Sequence, residues 1–144
     1  MSDLDERFTA ALHNTSRAWR QAVDRRLKYL GVSQASWLTI ATAAKARWPL
    51  SQSELADRLA VEGATMVAMV DRLVKAGLVI REPSATDRRV KRVILTKAGH
   101  RLHDIVKTEA AALRTQLLAG IDRQKLLVAT EVLEGLQSII DTPE

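Results

Sequence analysis

Four of the seven residues in Thr86-Asp87-Arg88-Arg89-Val90-Lys91-Arg92 are basic. The run sits between two short apolar stretches, Leu78-Val79-Ile80 and Val93-Ile94-Leu95. Apolar runs of this length, flanking a polar tip, predict a β-hairpin with strands over about 78–82 and 91–95 and a cationic loop over 83–90. Pro83 and Ser84 are expected to loosen the chain at the base of that loop.

Charge placement gives this segment further weight. Residues 81–101 hold seven basic and two acidic groups, so this stretch alone equals the net charge of +5 carried by the whole chain. Concentrated positive charge attracts phosphate and releases its counterions. All five aromatics (Phe8, Trp19, Tyr29, Trp37 and Trp48) lie in the first third, away from the basic run. Single-strand and RNA binders stack bases on aromatic rings. Nothing of that kind lies beside these arginines in sequence, so duplex DNA is the better expected partner.

Two short helices should precede the hairpin. Ser51-Gln52-Ser53-Glu54 fits a capping box, and Leu50 and Leu55 are placed as a hydrophobic staple. Leu55, Ala56 and Leu59 would face inward. After a turn around Ala60–Gly63, a second helix over about 64–76 is expected to bury Val67, Val70, Leu73 and Val74. Gly77 suits its left-handed C-terminal cap. Helix, tight turn, helix and charged hairpin together predict a winged helix-turn-helix, a duplex-DNA fold.

Helical periodicity fills the rest. Leu4, Phe8, Leu12, Thr15, Trp19, Val23 and Leu27 predict a helix over about 4–29, ended by Gly31. Ser33 should cap a helix over about 34–47, and Pro49 separates it from the next. Thr96 should cap a long helix over about 97–119 that Gly120 breaks. Asp122 should cap the last helix, whose apolar face carries Leu126, Leu127, Leu133, Leu136, Ile139 and Ile140. The expected fold is mainly α with one small hairpin. Residues 33–96 form the winged DNA-binding region, and 1–32 with 97–144 form a helical dimerisation region. Packing the terminal helices against a second copy would bury their stripes and space two reading helices by about 34–36 Å, one turn of duplex.

Other classes are excluded or weak. The chain has no cysteine, so it has no disulfide and no thiolate metal site. No apolar run is long enough to span a membrane, and the acidic start does not resemble a secretory signal, so the cytoplasm is the expected compartment. No nucleophile elbow, phosphate-binding glycine loop or metal motif suggests an enzyme, and no cofactor is expected. His100 and His103 form a lone His-x-x-His, more suited to a solvated helix face than to a metal.

The order and spacing of several short motifs carry a family resemblance. These are Trp19-Arg20 with Asp24 and Arg26-Leu27-Lys28, Ser33-Gln34 with Trp37, Asp71-Arg72-Leu73, Lys75-Ala76-Gly77-Leu78-Val79, and Asp87 to Arg92 through Leu95-Thr96. In these the chain resembles the MarR family of bacterial transcriptional regulators, and its SlyA-like branch in particular, over nearly its whole length. The resemblance implies a homodimer joined through its terminal helices, a winged helix-turn-helix on palindromic DNA, and often an anionic aromatic ligand that weakens DNA binding. It points to a repressor.

Residue roles follow. Asp87 and Arg89 match the family's Asp-x-Arg wing, with Asp87 bracing the loop and Arg89 entering the minor groove. Arg88, Lys91 and Arg92 would contact phosphates, although Arg92 could equally be a solvated strand residue. In the reading helix, Thr65 can touch a base, a phosphate or a thymine methyl. Ala68 departs from SlyA-like relatives, which often place an arginine there. Met66 and Met69 either contact the groove or pack within the fold. Ser53 and Arg72 would contact phosphates, and Asp71 would form an internal salt bridge. Direct readout therefore looks thin. For an effector, a small aromatic carboxylate, the candidates are Arg17, Trp19, Arg20 and Trp37; Arg17 and Trp37 match positions that the resemblance links to salicylate-type ligands. Core packing is the alternative for both tryptophans, and the dimer interface for Arg17. The rival reading of the whole chain is a winged-helix protein-interaction module without sequence-specific DNA binding.

Overall fold

A computed structural model describes residues 3–143. Met1, Ser2 and Glu144, the outermost residues of the two expected dimerisation segments, lie outside the described residues. The helices are α1 (Asp3–Arg26), α2 (Gln34–Lys45), α3 (Gln52–Leu59), α4 (Gly63–Lys75), α5 (Lys97–Leu118) and α6 (Arg123–Asp141). The strands are β1 (Leu50–Ser51), β2 (Val79–Pro83) and β3 (Lys91–Leu95). A short 3-10 turn, Lys28–Leu30, follows α1. The chain divides into two compact units, one up to Ala110 and one from Ala111 onward.

In the first unit, β3 is the centre of an antiparallel sheet of order β1-β3-β2. The hairpin register pairs Val79 with Leu95 and Pro83 with Lys91, and β1 pairs Leu50 with Val93. Strand β1 was not anticipated. It is two residues long, too short for any alternation, and Ser51 serves it while also capping α3. That cap is a full box: Glu54 N–H donates to Ser51 Oγ at 3.1 Å, and Ser51 N–H donates to Glu54 Oε1 at 3.1 Å. Accepting the Ser51 N–H holds the Glu54 carboxyl below the usual carboxylate range. A Ser N-cap of this kind contributes about 1 kcal/mol.

The turn between α3 and α4 differs from its sequence reading. Ala60, not a glycine, takes the left-handed conformation at φ 55°. Its own N–H donates to Asp57 O, and Val61 N–H donates to Ala56 O at 3.0 Å, closing α3. Gly63, which looked like a turn glycine, is the first residue of α4. Gly77 behaves as expected: it sits at φ 75°, and Leu78 N–H donates to Leu73 O at 3.0 Å.

The buried face of α4 also needs correction. Met66, Met69, Val70 and Leu73 are buried, while Val67 and Val74 are exposed. The observed set is spaced i, i+3, i+4, i+7, which makes a better helical stripe than the expected 67, 70, 73, 74. Met66 and Met69 join Ile40, Leu50, Leu55, Val79, Val93 and Leu95 in one core beneath the sheet. Their flexible thioethers suit a junction of helix and sheet. The helix-turn-helix is thus fastened to its hairpin by apolar contact.

In the second unit, Asp122 caps α6, accepting from the N–H groups of Gln124 and Lys125 at 2.8 and 3.1 Å. No residue of α6 is buried.

Candidate nucleic-acid interface and ligand cleft

The wing carries more local hydrogen bonds than its sequence suggested. Ser84 does not loosen the loop. Its N–H donates to Val90 O at 2.8 Å, its side chain is buried, and its Oγ accepts from Thr86 N–H. Pro83 closes β2, at a strand end where its missing N–H costs no ladder bond. Val90 N–H then donates to Asp87 O at 3.0 Å, which folds the tip into a turn. Ser84 could have been found from the Ser-x-Thr pattern, which offers the backbone a local hydroxyl acceptor.

At that tip Asp87 braces Arg89 itself. The Asp87 carboxylate accepts the Arg89 backbone N–H at 3.0 Å and Arg89 Nε–H and Nη2–H at 3.2 Å each. These bonds, the side-chain ones first, hold the Asp87 carboxyl below its usual range. Even so, the Arg89 side chain is 91% exposed. It is therefore aimed without being hidden. Arg88 and Lys91 are exposed beside it. Arg92 is half-buried, and its Nη1 donates to Pro49 O at 2.7 Å, fastening β3 to the chain before β1.

One residue that sequence reasoning missed organises the whole region. Arg81, on β2, donates through Nε to Gln52 Oε1 at 2.7 Å and through Nη2 to Val67 O at 3.2 Å and Asp71 Oδ1 at 2.5 Å. One guanidinium thereby joins the hairpin, α3 and α4. Asp71 takes the internal salt-bridge role expected of it. Its partner could not be read from spacing, because Gln52 and Asp71 lie 29 and 10 residues away from Arg81.

On the reading helix, Thr65, Ala68 and Arg72 are exposed, as is Ser53 on α3. Met66 and Met69 are not available to a groove, being 2% and 5% exposed. Arg72 approaches Met69 Sδ only weakly, at 3.9 Å.

A separate cleft of about 450 Å³ is lined by His13, Ser16, Arg17, Arg20 and Gln21 of α1 and Gln34 of α2. That size lies within the usual range for small-ligand sites. Arg17 Nη2 donates to Asn14 Oδ1 at 2.9 Å. The two expected indoles are not among the lining residues. Trp37 is buried and donates through Nε1 to Asp24 Oδ1 at 3.1 Å, while Trp19 is half-buried on α1. Nearby, Arg26 Nε donates to Glu109 Oε2 at 2.7 Å, joining the end of α1 to α5. On α5, His103 Nδ1 is buried with no hydrogen-bond partner. Burial first, then Lys45, pushes its pKa down. Among the described residues no three His, Asp or Glu side chains gather as a metal cage.

A helix-turn-helix with a braced cationic hairpin defines a winged helix-turn-helix protein. Comparison places it more narrowly. Residues 30–90 match the MarR family model. The transcriptional regulator PA3341 is 39% identical, with 93% of this chain and 98% of that one aligned at a TM-score of 0.84. CouR from Rhodococcus jostii RHA1, solved bound to p-coumaroyl-CoA, is 25% identical over 100% and 99% of the two chains, at 0.81. Staphylococcus aureus MarR, solved with salicylate and kanamycin, shares the fold at 24% identity over 95% and 92%, at 0.83. The chain belongs to the MarR family of transcriptional regulators. No helix among the described residues is long and apolar enough to cross a membrane.

Proposed function

We propose that this protein is a cytoplasmic, ligand-responsive repressor of the SlyA-like branch that binds palindromic duplex DNA as a homodimer. The observation that carries this reading is the wing. Asp87 holds the Arg89 backbone and guanidinium together, and the side chain remains open to solvent. A cation fixed in direction loses little freedom on entering a narrow minor groove, where the potential is most negative. Arg88 and Lys91 supply phosphate contacts on either side, with Ser53, Thr65 and Arg72 doing so from the helices. Arg92, tied to Pro49, acts chiefly to hold the sheet.

The cleft at Arg17 and Arg20 is the effector site in this reading. Two guanidiniums with His13, Gln21 and Gln34, and no acid in the lining, suit a small carboxylate. The indoles give no stacking wall, so the anion's charge matters more than its ring.

The test is Arg89→Ala. Binding to a duplex selected by the wild-type protein should weaken by about 1–3 kcal/mol, measured by fluorescence anisotropy at fixed salt. Unchanged affinity in the variant would remove the wing from the mechanism.

A further inference from the structure

We propose that the reading helix recognises thymine by its 5-methyl group, through an apolar face made by Ala64, Val67 and Ala68. The inference rests on the DNA-binding reading above and deepens it. With Met66, Met69, Val70 and Leu73 turned into the core, helical geometry directs Ala64, Ala68, Asp71 and Lys75 outward, with Val67 exposed on one flank of that face and Thr65 and Arg72 on the other. The N-terminal half of that outward face, the half that meets base edges in this class of motif, carries a side-chain donor or acceptor only at Thr65. Polar groups return only with Asp71, which Arg81 already holds.

Hydrogen-bond readout of bases by this half of the helix is therefore limited to the Thr65 hydroxyl. The apolar feature that the major groove presents to it is the thymine methyl. Val67 is suited to that contact. It is 41% exposed, so much of a β-branched side chain that gives up some helix propensity is left to solvent. Its branched side chain has one strongly preferred rotamer in a helix, so its methyls keep a fixed direction. Its backbone is fixed as well, because Val67 O accepts from Arg81 Nη2 at 3.2 Å. Exposure, stiffness and anchoring coincide at one side chain.

The experiment begins with selection of bound sites from a random-sequence duplex pool by the full-length protein. Each thymine of the selected site is then replaced in turn by deoxyuridine, and affinity is measured by fluorescence anisotropy at fixed salt. The replacement removes one methyl from the major groove and leaves the minor-groove edge unaltered, so the wing is unaffected. At one or two positions in each half-site binding should fall about threefold to fivefold, the scale of one methyl group's burial. In Val67→Ala, whose folding is checked by circular dichroism, the same substitutions should cost distinctly less. Uracil tolerated at every position would overturn the proposal while leaving the regulator reading intact. A uracil penalty identical in Val67→Ala would also overturn it. Failure to select any duplex would overturn the regulator reading itself, and the methyl contact with it.

Discussion

A single side chain can be read from sequence when its partners are close by. Asp87 was expected to brace the loop by pairing with a neighbouring guanidinium, and the guanidinium it holds is that of Arg89, two residues on in the same turn. Trp37 was harder to place: its bond to Asp24 joins residues 13 apart on different helices, so the indole looked available to a ligand when it is buried and occupied. The i, i+3 spacing of Arg17 and Arg20 places them together on one helix face, and here that face lines a cleft. Calorimetric titration with salicylate should detect binding there. Arg17→Ala should weaken it roughly tenfold, since a hydrogen bond to a charged group contributes ~1.5 kcal/mol. Equal affinities would move the anion out of this cleft.

At the level of elements, helices and strands with strong caps or clear alternation were legible, and their inward faces less so. The box at Ser51 and Glu54, the cap at Ser33 and the glycine end of α4 were all visible locally. The rotation of α4 was not, because methionine and valine both pass as core, and only packing against the sheet chooses between them. The junction of hairpin and α5 shows a constraint of the same long-range kind. Thr96 Oγ1 donates to Gly77 O at 2.6 Å, and its N–H donates to Leu78 O at 3.0 Å. This draws the first turn of α5 so near that a Cβ on Gly99 would collide with the Leu78 carbonyl oxygen. Backbone cannot yield there as a side-chain tip could. Gly99→Ala should therefore destabilise the fold by about 1–3 kcal/mol, the usual cost of overpacking. A thermal melt reads it, and an unchanged midpoint would mean that α5 docks more loosely than the geometry requires.

The whole molecule carries apolar surface that one copy leaves uncovered. On α6, Leu127, Val128, Val132, Leu133, Ile139 and Ile140 are each more than 40% exposed, and at the start of α1 Leu4 and Phe8 are exposed too. Large apolar side chains left exposed in this number along α6 suit a surface that a partner covers. Sedimentation near micromolar concentration should show a dimer, and Ile139→Asp with Leu133→Asp should shift it toward monomer. A wild-type monomer would sink the two-half-site arrangement. The Arg81 guanidinium then has a consequence for control. Because it ties β2, α3 and α4 together, moving α4 away from the wing breaks the Arg81 bonds to Val67 and Asp71. In a two-headed regulator, a small anion would act on the span between heads and leave the grip of each intact, as the jaws of a caliper keep their shape when the slide moves.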